Sequence, residues 1–249
     1  MLRSELIAKL RALPPGRRLI TALDVPDADQ ALSLAAALGP SGGFVKVGLE
    51  LFSAAGPPVV TALRGLGRDV FLDLKYHDIP NTVASAARQA ARLGAALCTI
   101  HAANGRASLQ AAAAALSDEP PGPDGRRPAL LAVTVLTSLS AADLEEIAPG
   151  GGSFQARLAR LATLTWESGC DGLVCSAADL PELRRVLGPE PLVVTPGIRP
   201  ASGAADDQKR VATPREAAAA GADFLVIGRP VTRAPDPAAA LAAIAAEFA

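Results

Sequence analysis

Four charged side chains stand inside runs that are otherwise apolar: Asp24 in LITALDV (Leu19–Val25), Lys46 in FVKVGL (Phe44–Leu49), and Asp73 and Lys75 in DVFLDLK (Asp69–Lys75). A buried, unpaired ion costs several kcal/mol, so charges in such runs need partners or a task. Asp78 follows in DLKYHDIPN and completes a D-x-K-x-x-D spacing. The signs alternate along Asp24, Lys46, Asp73, Lys75 and Asp78, and an opposite charge within a few ångströms favours the charged form of each lysine against desolvation. The set reads as a catalytic group in which Lys75 is a held cation beside Asp73, Asp78 and Lys46. A salt-bridge network closing one end of a sheet is the structural alternative.

A second group lies towards the other end of the chain. TPGIRP (Thr195–Pro200) and IGRP (Ile227–Pro230) place Gly197, Arg199, Gly228 and Arg229 just after apolar runs. Arginine offers a planar fork to phosphate oxygens, and glycine lets backbone N–H groups approach closely. The small, polar segment ASGAADDQKR (Ala201–Arg210) has the composition of a lid over a phosphate, with an ordinary solvated loop as the alternative. Together the two groups point to a phosphorylated small molecule. There is no G-x-S-x-G nucleophile elbow, and His77 and His101 have no metal-ligand spacing, so metal-free chemistry is expected. His101, ending TIHA, reads as a hydrogen-bonded core or rim histidine. His77 lies beside the charged series, where Lys75 is the better-placed acid.

These residues must be positioned by the elements around them. Eight strand-like runs occur in order: the three above, then LCTIHA (Leu97–Ala102), ALLAVTVL (Ala129–Leu136), GLVCS (Gly172–Ser176), LVVTPGI (Leu192–Ile198) and FLVIGR (Phe224–Arg229). Helix signals fall between them: Asn81 before TVASAARQAARL with Gly94 beyond it, Ser153 before FQARLARLATL, Thr213-Pro214 before REAAAAG, and Asp236-Pro237 before AAALAAIAAEF. Strict β/α alternation with doubly apolar strands calls for a parallel sheet covered by helices, and eight units predict an α/β fold of the (β/α)₈ TIM-barrel class. An open doubly wound sheet is the alternative, but DVPDADQA and not a G-x-G-x-x-G loop follows the first strand. The expected organisation is one domain over residues 1–249, with a short N-terminal helix at about 1–13 and a flexible Pro/Gly-rich loop at Ser117–Pro128. Side chains alternate along a strand, so Asp73 and Lys75 share a face opposite Leu72 and Leu74. They lie at the strand's C-terminal end, the catalytic face of such barrels, with Asp24 and Lys46 at matching positions on the first two strands.

Composition narrows the partners. Lys plus Arg is 24 against 25 for Asp plus Glu, and only 3% of the 249 residues are aromatic, which disfavours both a basic nucleic-acid surface and a base-stacking platform. Half the chain is hydrophobic, so a large core is expected. Charges interrupt the first 18 residues, no run suits a membrane span, and Cys98, Cys170 and Cys175 form no C-x-x-C pair. The expectation is a cytoplasmic protein with buried thiols and neither membrane nor nucleic-acid partner.

DLKYHDIPNTV (Asp73–Val83), together with ALDV, FVKVG, VTVLTS, TPGIRP, DDQKR and IGRP, closely resembles the bacterial type of the orotidine 5'-phosphate decarboxylase family over nearly the whole chain. The resemblance implies a homodimeric (β/α)₈ barrel that converts orotidine 5'-phosphate to UMP and carbon dioxide, the last step of de novo pyrimidine synthesis, with no metal or organic cofactor. Lys75 matches the lysine that stabilises and then protonates the carbanion, and Asp73 matches the carboxylate beside the substrate carboxylate. Lys46 and Asp78 complete the charged network, with Asp78 and the ribose-contacting Thr82 entering from the other subunit. Asp24 and Lys46 match ribose-hydroxyl contacts. Thr137, Ser138 and Ile79 match substrate-binding positions, and Arg199, Gln208, Gly228 and Arg229 match phosphate and lid contacts. Only the Ser117–Pro128 stretch looks longer than the family pattern.

Two other readings remain at this point. Related barrels use D-x-K-x-x-D with magnesium on a sugar phosphate, as decarboxylases or aldolases, but carry a carboxylate where this chain has Lys46, whose charge would repel a divalent cation. A non-catalytic phosphate-ligand-binding barrel would have no need of the charged array.

Overall fold

Strands that are apolar on both faces are stable only where one face is enclosed and the other is covered by helices. The computed structural model, which describes residues 1–40, 42–122, 125–200 and 211–249, meets that condition. Its strands are β1 (Leu19–Ala22), β2 (Phe44–Val47), β3 (Asp69–Tyr76), β4 (Leu97–His101), β5 (Ala129–Val133), β6 (Gly172–Val174), β7 (Leu192–Thr195) and β8 (Phe224–Ile227). They pair in parallel in sequence order and close, β8 returning to β1 with Leu19 opposite Leu225 and Thr21 opposite Ile227. The closed barrel rules out the open sheet.

Alternation sorts each strand into two cores. Ile20, Phe44, Phe71, Leu97, Leu131, Val194 and Phe224 fill the barrel, with the Phe44 and Phe224 rings edge to face at 5.3 Å. Leu19, Val45, Leu72, Cys98, Val193 and Leu225 face outward onto the helices. The N-terminal helix is Arg3–Arg11, shorter than 1–13, and adds Leu6, Ile7 and Leu10 to the inner core beside residues that begin strands, closing the N-terminal mouth. Chemistry is left to the other mouth.

Three helix starts follow the sequence signals. Ser153, Thr213 and Asp236 each cap a helix by accepting a backbone N–H three residues on, with Pro214 and Pro237 in the first turn of their helices. Asn81 is not a cap. That helix, Pro80–Arg92, begins earlier because Pro80, with its preset φ and missing N–H, takes the first turn behind an extended Ile79. Apart from β3, which runs on to Tyr76, the strands stop short of their apolar runs, whose last residues turn into the mouth loops. Asp24 therefore lies in the loop two residues beyond the Ala22–Lys46 pairing and does not match Lys46 in position.

Within Ser117–Pro128, Ser117 and Asp118 still belong to a helix, while Arg126 and Arg127 bind Asp69 and Asp171. Pro123 and Asp124 lie outside the described residues, as do Gln208 and the whole Ala201–Arg210 segment. All three cysteines are buried thiols outside any disulfide among the described residues, and burial pushes the Cys98 thiol up to about 12. Among the described residues no helix is long and apolar enough to cross a membrane.

Candidate active site

The inward-facing rows of β2, β3 and β4 carry Lys46, Asp73 and Thr99 just above the apolar filling of the barrel, and Asp24 reaches them from the loop after β1. Lys46 Nζ lies 2.7 Å from Asp24 Oδ1 and 4.0 Å from Asp73 Oδ2, which in turn lies 2.8 Å from Lys75 Nζ. The four form one chain of alternating charge. Its centre is enclosed, with the Lys46 and Asp73 side chains only 12% and 11% exposed, while Asp24 at 58% meets solvent. Burial of that depth is tolerable because each charge has an opposite neighbour, and Asp73 also accepts a hydrogen bond from Thr99 Oγ1 at 3.0 Å.

Asp73 and Lys75 do share a face, but not through a regular strand. The β3–β4 register shifts between Leu72 and Tyr76, and Lys75 has φ +50°, the only positive φ of a non-glycine residue among the described residues. A side chain in the left-handed region costs about 1–3 kcal/mol and persists only when its surroundings over-determine it. Here the strain presents the Lys75 ammonium at the mouth. Gly48 contributes by what it lacks: a Cβ there would stand 2.9 Å from Lys46 Nζ and 3.3 Å from Asp24 Oδ1.

These side chains border a cavity of about 1140 Å³ at the C-terminal mouth. Asp24 lines it from the loop after β1, Lys46, Asp73 and Lys75 from β2 and β3, Thr137 from the loop after β5, and Gly197, Arg199, Gly228 and Arg229 from the segments that follow β7 and β8. The charged row and the arginine group thus share one space. Gly197, at φ +80°, turns the chain after β7, and Arg199 N donates to Ala212 O at 2.9 Å, which holds the arginine's backbone beside the entry to the next helix.

Other expected residues stand elsewhere. Ser138 is exposed and does not line the cavity, because the β5 loop turns between it and Thr137. Asp78, Ile79 and Thr82 are exposed outside the cavity of their own chain, and Asp78 makes no ion pair among the described residues. The intrachain D-x-K-x-x-D cluster is therefore corrected to D-x-K: after the bulge the chain leads away from the mouth into the helix at Pro80, and Asp78 Oδ1 accepts the Ile79 N–H at 2.6 Å. The loop is nonetheless well anchored, with Asn104 Oδ1 accepting the Asp78 N–H at 2.9 Å and Ser108 Oγ donating to Asp78 O at 3.2 Å. His101 is a half-buried rim residue whose ring lies 5.3 Å from that of His77, and the imidazole makes no hydrogen bond among the described residues. Burial, then the neighbouring His77 and Lys75, lower its pKa below the usual histidine value.

Thr99, Gly48, Asn104 and the cavity-lining Arg233 escape a reading based on charges in strands. Thr99 carried a signal: in LCTIH it is the polar residue between outward-facing Cys98 and Ile100, so it must face the interior. Among the described residues no cluster of three His, Cys, Asp or Glu could hold a metal ion.

A model of the Orotidine 5'-phosphate decarboxylase / HUMPS family matches residues 17–244. A curated orotidine 5'-phosphate decarboxylase of Nitrosococcus oceani is 52% identical over 93% of this chain and 97% of its own. That of Moorella thermoacetica is 50% identical over 93% and 92%. Among solved structures, orotidine 5'-phosphate decarboxylase from Lactobacillus acidophilus is 40% identical with a TM-score of 0.83, covering 92% of this chain and 98% of that one. An uncharacterized conserved protein from Geobacillus kaustophilus is 39% identical with a TM-score of 0.81, over 93% and 100%.

Proposed function

The chain belongs to the Orotidine 5'-phosphate decarboxylase / HUMPS family, and from this premise we propose that it converts orotidine 5'-phosphate to UMP and carbon dioxide at the C-terminal mouth, as the last step of de novo pyrimidine synthesis. The observation that carries the reading is the Asp24–Lys46–Asp73–Lys75 row on the wall of a cavity that also holds Arg199 and Arg229. The arginines take the phosphate, Asp24 and Lys46 the ribose hydroxyls, and Thr137 the base.

In the reaction the bond between the pyrimidine carbon and its carboxylate breaks and carbon dioxide leaves. The electron pair stays on the ring carbon, where the Lys75 ammonium stabilises it and then supplies the proton. Charge arranged in advance in a site shielded from water is usually the largest catalytic term. Asp73, 2.8 Å from Nζ, fixes that ammonium before substrate arrives. Phosphate contacts far from the reacting carbon hold the substrate against it, so remote binding energy lowers the chemical barrier.

The working unit is a cytoplasmic homodimer in which Asp78, Ile79 and Thr82 serve the neighbouring cavity. Their exposure, with Ile79 at 66%, and their distance from their own mouth support this arrangement, and the anchored loop gives the residues a fixed direction. Magnesium-dependent sugar-phosphate chemistry fits less well, because the Lys46 ammonium already occupies the space between Asp24 and Asp73. The test is the ultraviolet absorbance change of orotidine 5'-phosphate on adding protein in excess chelator. Conversion is expected. Silence there, with magnesium-dependent turnover of sugar phosphates, would transfer the assignment, and silence in both would leave a binding barrel.

A further inference from the structure

The slip between β3 and β4 sets three residues against one: Leu72 faces Cys98 and Tyr76 faces Ile100, so Asp73, Leu74 and Lys75 stand opposite Thr99 alone. A bulge of this kind removes backbone groups from the ladder, and buried N–H groups must find another acceptor. The Lys75 N–H donates to Thr99 Oγ1 at 2.9 Å, and the same hydroxyl donates to Asp73 Oδ1 at 3.0 Å. A threonine hydroxyl has a single proton, so accepting from the backbone on one side and donating to the carboxylate on the other gives it a defined orientation. Thr99 is fully buried, which keeps water from competing for either bond. The second oxygen of Asp73 faces Lys75 Nζ at 2.8 Å, with Lys46 Nζ farther off at 4.0 Å.

We propose that Thr99 is a positioning residue for decarboxylation: one hydroxyl ties the Asp73 carboxylate to the left-handed backbone of Lys75 and thereby sets where the ammonium meets the reacting carbon. The proposal rests on the decarboxylase reading. Its chemistry is specific to a hydroxyl, since a side chain that only fills space offers the Lys75 N–H no acceptor and Asp73 Oδ1 no donor. Serine keeps both bonds and valine keeps the shape.

The experiment compares wild type, Thr99→Val and Thr99→Ser as full-length protein, measuring kcat with orotidine 5'-phosphate, the Kd for UMP and thermal unfolding. Displacing a catalytic group by about 1 Å can cost on the order of 100-fold, so Thr99→Val is expected to lose about 10- to 100-fold in kcat. UMP affinity should stay near wild type, because phosphate and ribose contacts lie elsewhere in the cavity, and Thr99→Ser should restore turnover. If the valine chain does not fold, Thr99→Ala, which removes the hydroxyl without adding a methyl against Asp73, carries the same expectation. An unchanged kcat in the folded variant overturns the proposal, as does a serine variant as impaired as the valine one. Wild type without turnover overturns the decarboxylase reading and this role with it, whereas active wild type with equally active Thr99→Val overturns the role alone.

Discussion

The two mouths of the barrel are both ringed by charge, and their carboxylates are paired with different cations. At the N-terminal mouth the pairs are arginine with aspartate. Arg127 grips Asp171 with two bonds of 2.7 and 2.8 Å, and the same carboxylate accepts the Leu130 N–H at 2.8 Å. Asp223 takes Arg11, Arg184 and the Val193 N–H, and Asp69 takes Arg17 and Arg126. Those carboxylates are saturated and the helix Arg3–Arg11 covers that end. At the C-terminal mouth the cations from the strands are lysines, each a compact point charge with three donors, and they border an open cavity. Arginine's fork holds a carboxylate rigidly and keeps its proton, whereas lysine can release one. A charge in a strand is thus ambiguous until its partner and its exposure to a cavity are known.

The contrast breaks most visibly at Lys75. Lys75→Ala is expected to cut kcat by at least about 10³-fold, given what positioned acids and electrostatic groups contribute, with little change in unfolding temperature. Lys75→Arg sharpens the point, because it keeps the charge but not a releasable proton, and turnover should remain abolished. Steady-state assays beside thermal melts check both. The opposite signature belongs to the other mouth. Asp171→Asn leaves the buried Arg127 without its anion and should cost about 3–5 kcal/mol, read as a lower denaturation midpoint, while the folded fraction keeps its kcat.

A third expectation concerns the loop that leaves the mouth. Inactive Lys75→Ala and inactive Asp78→Ala chains, mixed and allowed to exchange, should recover up to about a quarter of wild-type activity, since random pairing puts half of the chains into heterodimers with one intact site each. Mixtures that stay inactive after demonstrated exchange would place Asp78 outside a shared site. The smallest effect is on pH dependence. Burial and the nearby His77 and Lys75 lower the His101 pKa, so the folded state resists its protonation. The stability this contributes is present above the usual histidine value and is lost as pH falls through the lowered one. Denaturant titrations at pH 7.5 and 5 should show a modest loss at the acid end, reduced in His101→Gln.

The barrel was legible because its pattern is local: each doubly apolar run, helix cap and glycine stop can be recognised within a few residues, and eight repetitions in order leave little freedom. Lys46, Asp73 and Lys75 were legible because a charge in an apolar strand is conspicuous. Asp69 shows the limit of that signal, since it opens β3 in the same kind of run and, among the described residues, its carboxylate joins the arginine network of the other mouth. Asp78 shows another, because sequence spacing placed it beside Lys75 and the chain's path takes it out of its own cavity.

By itself the sequence determined which residues face inward, how many strands there are and which ends carry the cations, since strand alternation and β/α order depend on neighbouring residues alone. Only the tertiary structure decided that β3 bulges at Lys75, that Thr99 is the side chain opposite it, and that two sets of charges separated along the chain border one cavity. Those outcomes depend on the register between strands and on barrel closure, which are settled by packing the whole sheet at once and are encoded in no single segment.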